Sequence, residues 1–224
     1  MKCAWLVGCV LCVLAPRAAM AQTCAPMAGD VTIITAELAE ARLHFLAGEL
    51  QDESHRGRLY SDLWRGAYAA AAIGQMAVTP WQSAHDRRIS YIGTGSTVLG
   101  VLAVTLVPLK VIDDGRELRL RAEQLVRVHG VCAALTTVQD ILLTDEADER
   151  TAIGWLEHTG NAVINVALGA FLAFGMHDKT SGVINAVGGT AIGEWMFATQ
   201  PRHLTEVLRR YRAGRLSAEV NHRL

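Results

Sequence analysis

Residues 151–201 constrain the fold more than any other stretch of this chain. They form two apolar segments joined by the short polar turn His177-Asp178-Lys179. A connection this short makes its two helices antiparallel neighbours. Each segment carries polar groups that a purely apolar helix lacks: Glu157, His158, Asn161 and Asn165 in the first, Asn185 and Glu194 in the second. At helical spacing His158, Asn161 and Asn165 share one face, and Glu157 stacks over Asn161. Counted from Asp178, Asn161 is 17 residues back and Glu194 is 16 forward. Level helices therefore set Glu194 beside Asn161 and within a turn of His158, where a charge-assisted hydrogen bond is expected. Glu157, His158, Asn161, Asn165 and Glu194 form the candidate polar cluster, either the glue of a helical bundle or the lining of a site.

The strongest candidate for a membrane span is Ile89 to Leu109, 21 residues without a charge. As a helix it measures about 31 Å, enough for a bilayer core. Tyr91 and Lys110 stand near its ends, where interfacial anchors belong. The competing reading is a buried helix in a soluble bundle. Upstream, a long amphipathic helix capped by Asp30 or Thr32 carries Ala39, Leu43, Leu46 and Leu50 at helical spacing. It runs through a polar cluster at 51–58 to Trp64 and continues into the uncharged stretch 66–84. There Ala67, Ala70, Ala71 and Gly74 offer a small-residue surface for close helix approach, and Thr79-Pro80 ends the segment.

Downstream, Asp113-Asp114-Gly115 reads as a turn. Residues 116–144 read as a solvated helix that becomes packed or interfacial, with a membrane span as the second choice for 128–144. Residues 145–150 read as an acidic turn. The stretch from Arg202, with Arg209, Arg210, Arg212, Arg215 and Arg223, reads as a basic tail helix on an anionic membrane surface, or as a soluble terminal helix. Charge placement favours three spans (89–109, 155–176 and 182–199) over five, and four least. A short internal echo, Ala72-Ile73-Gly74-Gln75 against Ala191-Ile192-Gly193-Glu194, would pair the 66–80 helix with 183–201 and the 89–109 helix with 160–176.

The first 21 residues combine Met1-Lys2, an apolar run and Ala19-Met20-Ala21, the pattern of a cleaved secretory signal. An uncleaved anchor and a lipoprotein signal are weaker alternatives. Outside this segment the cysteines are Cys24 and Cys132. Export would place Cys24 in an oxidising space; a disulfide and a packing role for Cys132 both stay open. A net charge of −1 gives no electrostatic case for nucleic acid. Metal-ligand spacing, a phosphate loop and a nucleophile elbow are all lacking, so no catalytic, metal or cofactor residue is assigned.

Trp155-x-x-His158, Asn165, Gly193-Glu194 and Thr199-Gln200-Pro201 resemble a pattern in bacterial exported and membrane helical proteins. Trp195 departs from it, standing where the pattern has a polar residue. The resemblance spans most of the mature chain; it implies one co-operating helical unit and brings no activity. The expectation is an all-α helical bundle with several transmembrane or membrane-associated helices: a signal at 1–21, the bundle at 22–201 and a basic tail helix at 202–224. The expected setting is the bacterial envelope, in the inner membrane. Expected partners are the lipid bilayer and a protein partner or second copy. A structural or interaction role leads; a site for a small ligand, ion or proton at the Glu/His/Asn cluster is the alternative.

Overall fold

The structure, a computed structural model, describes Thr23–Cys24 and residues 34–216. The expected signal, the proposed caps Asp30 and Thr32, and the end of the tail with Arg223 lie outside the described residues. Apart from a short antiparallel pair, β1 (Thr23–Cys24) with β2 (Ile34–Thr35), the described chain is all-α. Its helices are α1 (Ala36–Val78), α2 (Ala84–Leu106), α3 (Lys110–Asp114), α4 (Leu118–His129), α5 (Val131–Ala152), α6 (Trp155–Ala170), α7 (Lys179–Thr199) and α8 (Leu204–Arg212). A 3-10 turn at Thr79–Trp81 closes α1, and a π turn at Phe171–Gly175 extends α6.

Helix α1 has 43 residues, about 64 Å at 1.5 Å per residue, and serves two bodies. Thr35 starts it, the hydroxyl accepting from the Leu38 amide at 3.3 Å. The first third builds a head. There Leu43, Leu46 and Leu50 pack with Leu118 of α4, Leu135, Val138 and Leu142 of α5, and Leu204, Val207 and Tyr211 of α8. Gly115 lets α1 pass close to the turn after α3, since an added Cβ would meet the Leu50 carbonyl. The Cys24–Cys132 disulfide ties β1 to the start of α5, which closes the question the sequence left open.

Three expectations change in the head. The stretch 116–144 is not one helix, because Gly130 at φ 85° adopts a backbone that side-chain-bearing residues resist; it divides α4 from α5. The reading of 128–144 as a span gives way, because Leu135, Val138 and Leu142 pack in the head core. The acidic turn at 145–150 is the last part of α5, with Asp145 and Glu146 buried.

The basic tail is not free to lie on a surface. Helix α8 turns Leu204, Val207, Leu208 and Tyr211 into the head. Arg210 bonds Glu49 at 3.1 Å and lies over the Phe45 ring. The Gln139 amide donates to the Tyr211 hydroxyl at 2.5 Å. The apolar face that a membrane would have covered is already occupied.

The rest of α1 pairs with α2 in one hairpin, and α6 with its π turn pairs with α7 in a second. Both leave the head in the same direction as a four-helix arm. At its base the Trp64 indole donates to Thr199 Oγ1 at 3.1 Å and the Tyr60 hydroxyl to the Met196 carbonyl at 3.2 Å. At its tip His85 Nε2 lies 3.6 Å from Asp178 Oδ2. Of the echoed helices, α1 runs away from the head while α7 returns to it.

Backbones approach closely within each hairpin, whereas the hairpins meet through long side chains such as Trp64 against Trp195. Gly169 and Gly182 are the closest point of the second hairpin. An added Cβ on either would stand 2.5–2.6 Å from the other's carbonyl oxygen. Large apolar side chains of the arm turn outward, among them Ile73, Leu99, Leu106, Ile164, Phe174 and Ile184. Among the described residues one helix, α2, is long and apolar enough by itself to cross a membrane.

Candidate functional site

The α6–α7 hairpin fixes the register of the polar cluster. Asp178 caps α7, its carboxylate accepting from the Ser181 amide and hydroxyl at 2.9 Å each. His177 takes the left-handed conformation at φ 58° that reverses the chain. From this turn the helices run level, and small residues hold them close. Gly193 faces Asn161, and Gly189 faces Asn165; a Cβ at either glycine would clash with the asparagine amide oxygen.

This register brings four of the five candidate residues together. Glu194 Oε2 meets His158 Nδ1 at 2.5 Å, and Glu194 Oε1 accepts from Asn161 Nδ2 at 3.0 Å. The same Asn161 amide reaches the Thr190 carbonyl at 3.1 Å. Asn165 Nδ2 donates to the Asn161 side-chain and backbone oxygens at 2.8 and 2.9 Å. The His158 ring stands edge-on to Phe197, with centroids 5.2 Å apart. Both Glu194 oxygens are thus engaged by α6, so the network works as a clamp between two helices.

Glu157 is not part of it. One residue before His158, it points about 100° away around the helix and lines a cavity of about 270 Å³ where the arm joins the head. Val107, Leu109, Ala152, Pro201 and Leu204 give this neck cavity apolar walls. Its polar lining comes mainly from two helices: Glu53 of α1, and Asp145, Asp148 and Glu149 of α5.

Glu53 and Asp145 are fully buried. Glu53 Oε2 meets Arg56 at 3.3 Å, while its Oε1 has no hydrogen-bond partner and the Asp145 carboxyl has only that of Asp114 beside it. Burial is the main cause that raises the Glu53 carboxyl above its ordinary range. The Asp145 carboxyl is pushed up to about 7, by burial first and then by the neighbouring Asp114 carboxyl. Glu149 is raised by burial, although it caps α8 by accepting from the Leu204 amide at 3.2 Å.

Neither Glu53 nor Asp145 was among the expected site residues. Helical spacing held the signal. Glu53 follows Leu43, Leu46 and Leu50 at the next buried position of α1, and Asp145 follows Leu135, Val138 and Leu142 on α5. A carboxylate that continues an apolar stripe is carried inside with it. No protein-family model, curated protein or solved structure matches this chain.

Proposed function

We propose that this chain is an integral membrane protein of the bacterial envelope, with a four-helix anchor and a folded head outside the cytoplasm that serves a structural or interaction role. The observation that carries the reading is where the exposed large apolar side chains fall: nearly all lie on the arm, between Leu59 and Val107 and between Trp155 and Trp195. Such a surface is unfavourable in water and suited to lipid. Each arm helix also has an uncharged run: 66–84, 89–109, 159–176 and 180–193. Exposed Trp155 and Trp195 stand at the base and Trp81 at the tip. Trp64 and Trp81 are separated by roughly 25 Å along α1, close to the spacing of aromatic belts at a bilayer's two interfaces.

The topology supports four crossings. Three chain segments assemble one head, and each hairpin leaves and returns to it, so crossings come in pairs. Counting charges favoured an odd number because it treated the arginines after residue 202 as a membrane-flanking loop. Arg210 is instead paired with Glu49 within the folded head, and Arg209 with Glu206 on the surface of the same helix. The disulfide suits an oxidising compartment, which puts the head outside. The tips, with Arg87, Arg88 and Lys179, then face the cytoplasm as the positive-inside rule prefers.

Alkaline carbonate extraction tests the anchor, and retention in the membrane pellet is expected. Release into the supernatant would overturn the reading. Single cysteines at Arg88 and Glu123, probed with an impermeant maleimide in intact spheroplasts, test the orientation. The Glu123 position should label at once and the Arg88 position only after lysis; the reverse would invert the topology.

A further inference from the structure

The neck cavity holds buried acidic groups that the clamp and the anchor leave unexplained. Asp145 is 2 % exposed and has only the Asp114 carboxyl beside its oxygens, with no N–H or cation on them, and Glu53 is 1 % exposed with Oε1 unpartnered. Both line the same cavity, and so does buried Gln200, whose amide nitrogen also has no partner. Lys110 at the rim already faces Asp148 at 3.7 Å, and Arg150 is held by Glu146 at 2.6 Å. A buried carboxylate without donors is costly unless a proton or a cation accompanies it.

The cavity's volume of about 270 Å³ far exceeds what one water or bare ion needs, and lies near the lower end of the range for small organic ligands. Among the described residues no three His, Cys, Asp or Glu converge well enough to hold a metal ion. The walls are mainly apolar, which suits a ligand with a hydrocarbon body rather than a hydrated cation.

We propose that the neck cavity binds a small organic ammonium ion, its N–H groups donating to Asp145 and Glu53 and its apolar body lying against Leu109, Ala152 and Pro201. The Gln200 amide supplies a donor for a hydroxyl or carbonyl oxygen on the same ligand. Burial beside Asp114 and Asp148 raises the Asp145 carboxyl to about 7. Near neutral pH an entering ammonium therefore replaces a proton rather than filling an open charge. The ammonium can come from a soluble amine or from the headgroup of an aminophospholipid. Only the second source rests on the membrane reading.

The test is titration calorimetry of the purified full-length protein in phosphate buffer near neutral pH, with n-butylammonium chloride as probe. n-Butanol and sodium chloride are the controls. Saturable binding of butylammonium is expected, with none for the controls. Asp145→Asn and Glu53→Gln should each weaken it about tenfold, the scale of one charge-assisted hydrogen bond, while thermal unfolding confirms that both variants fold.

Absence of saturable butylammonium binding would overturn the proposal. So would wild-type affinity in both folded variants. Nanodiscs of phosphatidylethanolamine and of phosphatidylcholine identify the source. Weaker butylammonium binding in the first marks the lipid headgroup as the resident ligand, and equal binding marks a soluble amine. If the chain proves not to be membrane-bound, the calorimetry stands without the nanodiscs, so the two readings fail separately.

Discussion

The two ends of α1 place similar side chains in opposite surroundings. Leu46 and Leu50 are fully covered in the head, whereas Leu63 is 68 % and Ile73 70 % exposed on the arm. The head gathers its apolar residues inward, as a body folded in water must. The arm buries glycines, Gly169 against Gly182, pairs half-buried polar groups such as Glu194 and Asn161 between its helices, and turns its large apolar residues out. That inversion is expected where the solvent is hydrocarbon and packing, not the hydrophobic effect, holds helices together. On the membrane reading proposed above, one continuous helix would serve two solvents, with the change at the neck, where Glu53, Ser54 and Gly57 follow the last core leucine.

Cavity-making substitutions should break the comparison most visibly. Leu50→Ala should cost about 2–5 kcal/mol in the head, while Leu99→Ala, on an outward arm position, should stay within about 0.5 kcal/mol. Thermal unfolding in detergent measures both. Equal losses would mean that the arm has a conventional core. The disulfide sharpens the same contrast. It closes a loop of 108 residues, so Cys132→Ser should cost the head about 2–5 kcal/mol. Limited proteolysis of this variant should then cut α4 and α5 before the arm hairpins. Cleavage at the hairpins first would show that the arm depends on the head.

Much of the arm was legible in the sequence because each of its constraints is local. The turn at His177–Lys179 set the register, uncharged runs marked the helices, and helical spacing put Asn161 and Glu194 level. The head was less legible because its determinants act across long separations. Nothing near Arg210 announces Glu49, some 160 residues away, and nothing near Cys24 announces Cys132. Residues 145–150 looked like a turn because five of the six are charged, and such a run usually stays in water. Here Asp145 and Glu146 are held inside by the packing of Leu135, Val138 and Leu142 just before them. Their burial depends on a neck that only the assembled hairpins create.

A pH dependence should separate head from arm. The folded Asp145 carboxyl is raised from 3.8 to about 7. Its favourable contribution is complete below 3.8 and is lost as pH rises through about 7. His203 is raised above 6.5 by its hydrogen bond to Glu49, so its contribution too is present below 6.5 and lost at higher pH. Glu49 is held below 4.5, chiefly by His203 and also by Arg210; it contributes above 4.5 and fails only as pH falls through its folded value. The head should therefore be most stable on the acid side of neutrality. It should lose on the order of 2 kcal/mol between about pH 5 and about pH 8. Unfolding in amine-free buffer measures this, and Asp145→Asn should flatten most of the slope. A slope unchanged by that substitution would assign it elsewhere.

The smallest effect belongs to the clamp. In the arm an interhelical hydrogen bond competes with few alternatives, yet measured couplings between membrane helices average only about 0.6 kcal/mol and reach about 1.7. Glu194 and His158, at 2.5 Å, should still couple measurably although both side chains are about 40 % exposed, because Gly193 lets the helices close around the pair. A double-mutant cycle with Glu194→Gln and His158→Ala, read as thermal stability in detergent, isolates the pair from the bond that Asn161 also makes to Glu194. The exposed Asp62–Arg65 pair at the arm base, 3.1 Å apart, is the control and should couple by no more than about 0.5 kcal/mol. Strictly additive losses at Glu194 and His158 would mean that glycine packing alone holds α6 to α7. The polar groups facing each other across that hairpin would then need another purpose.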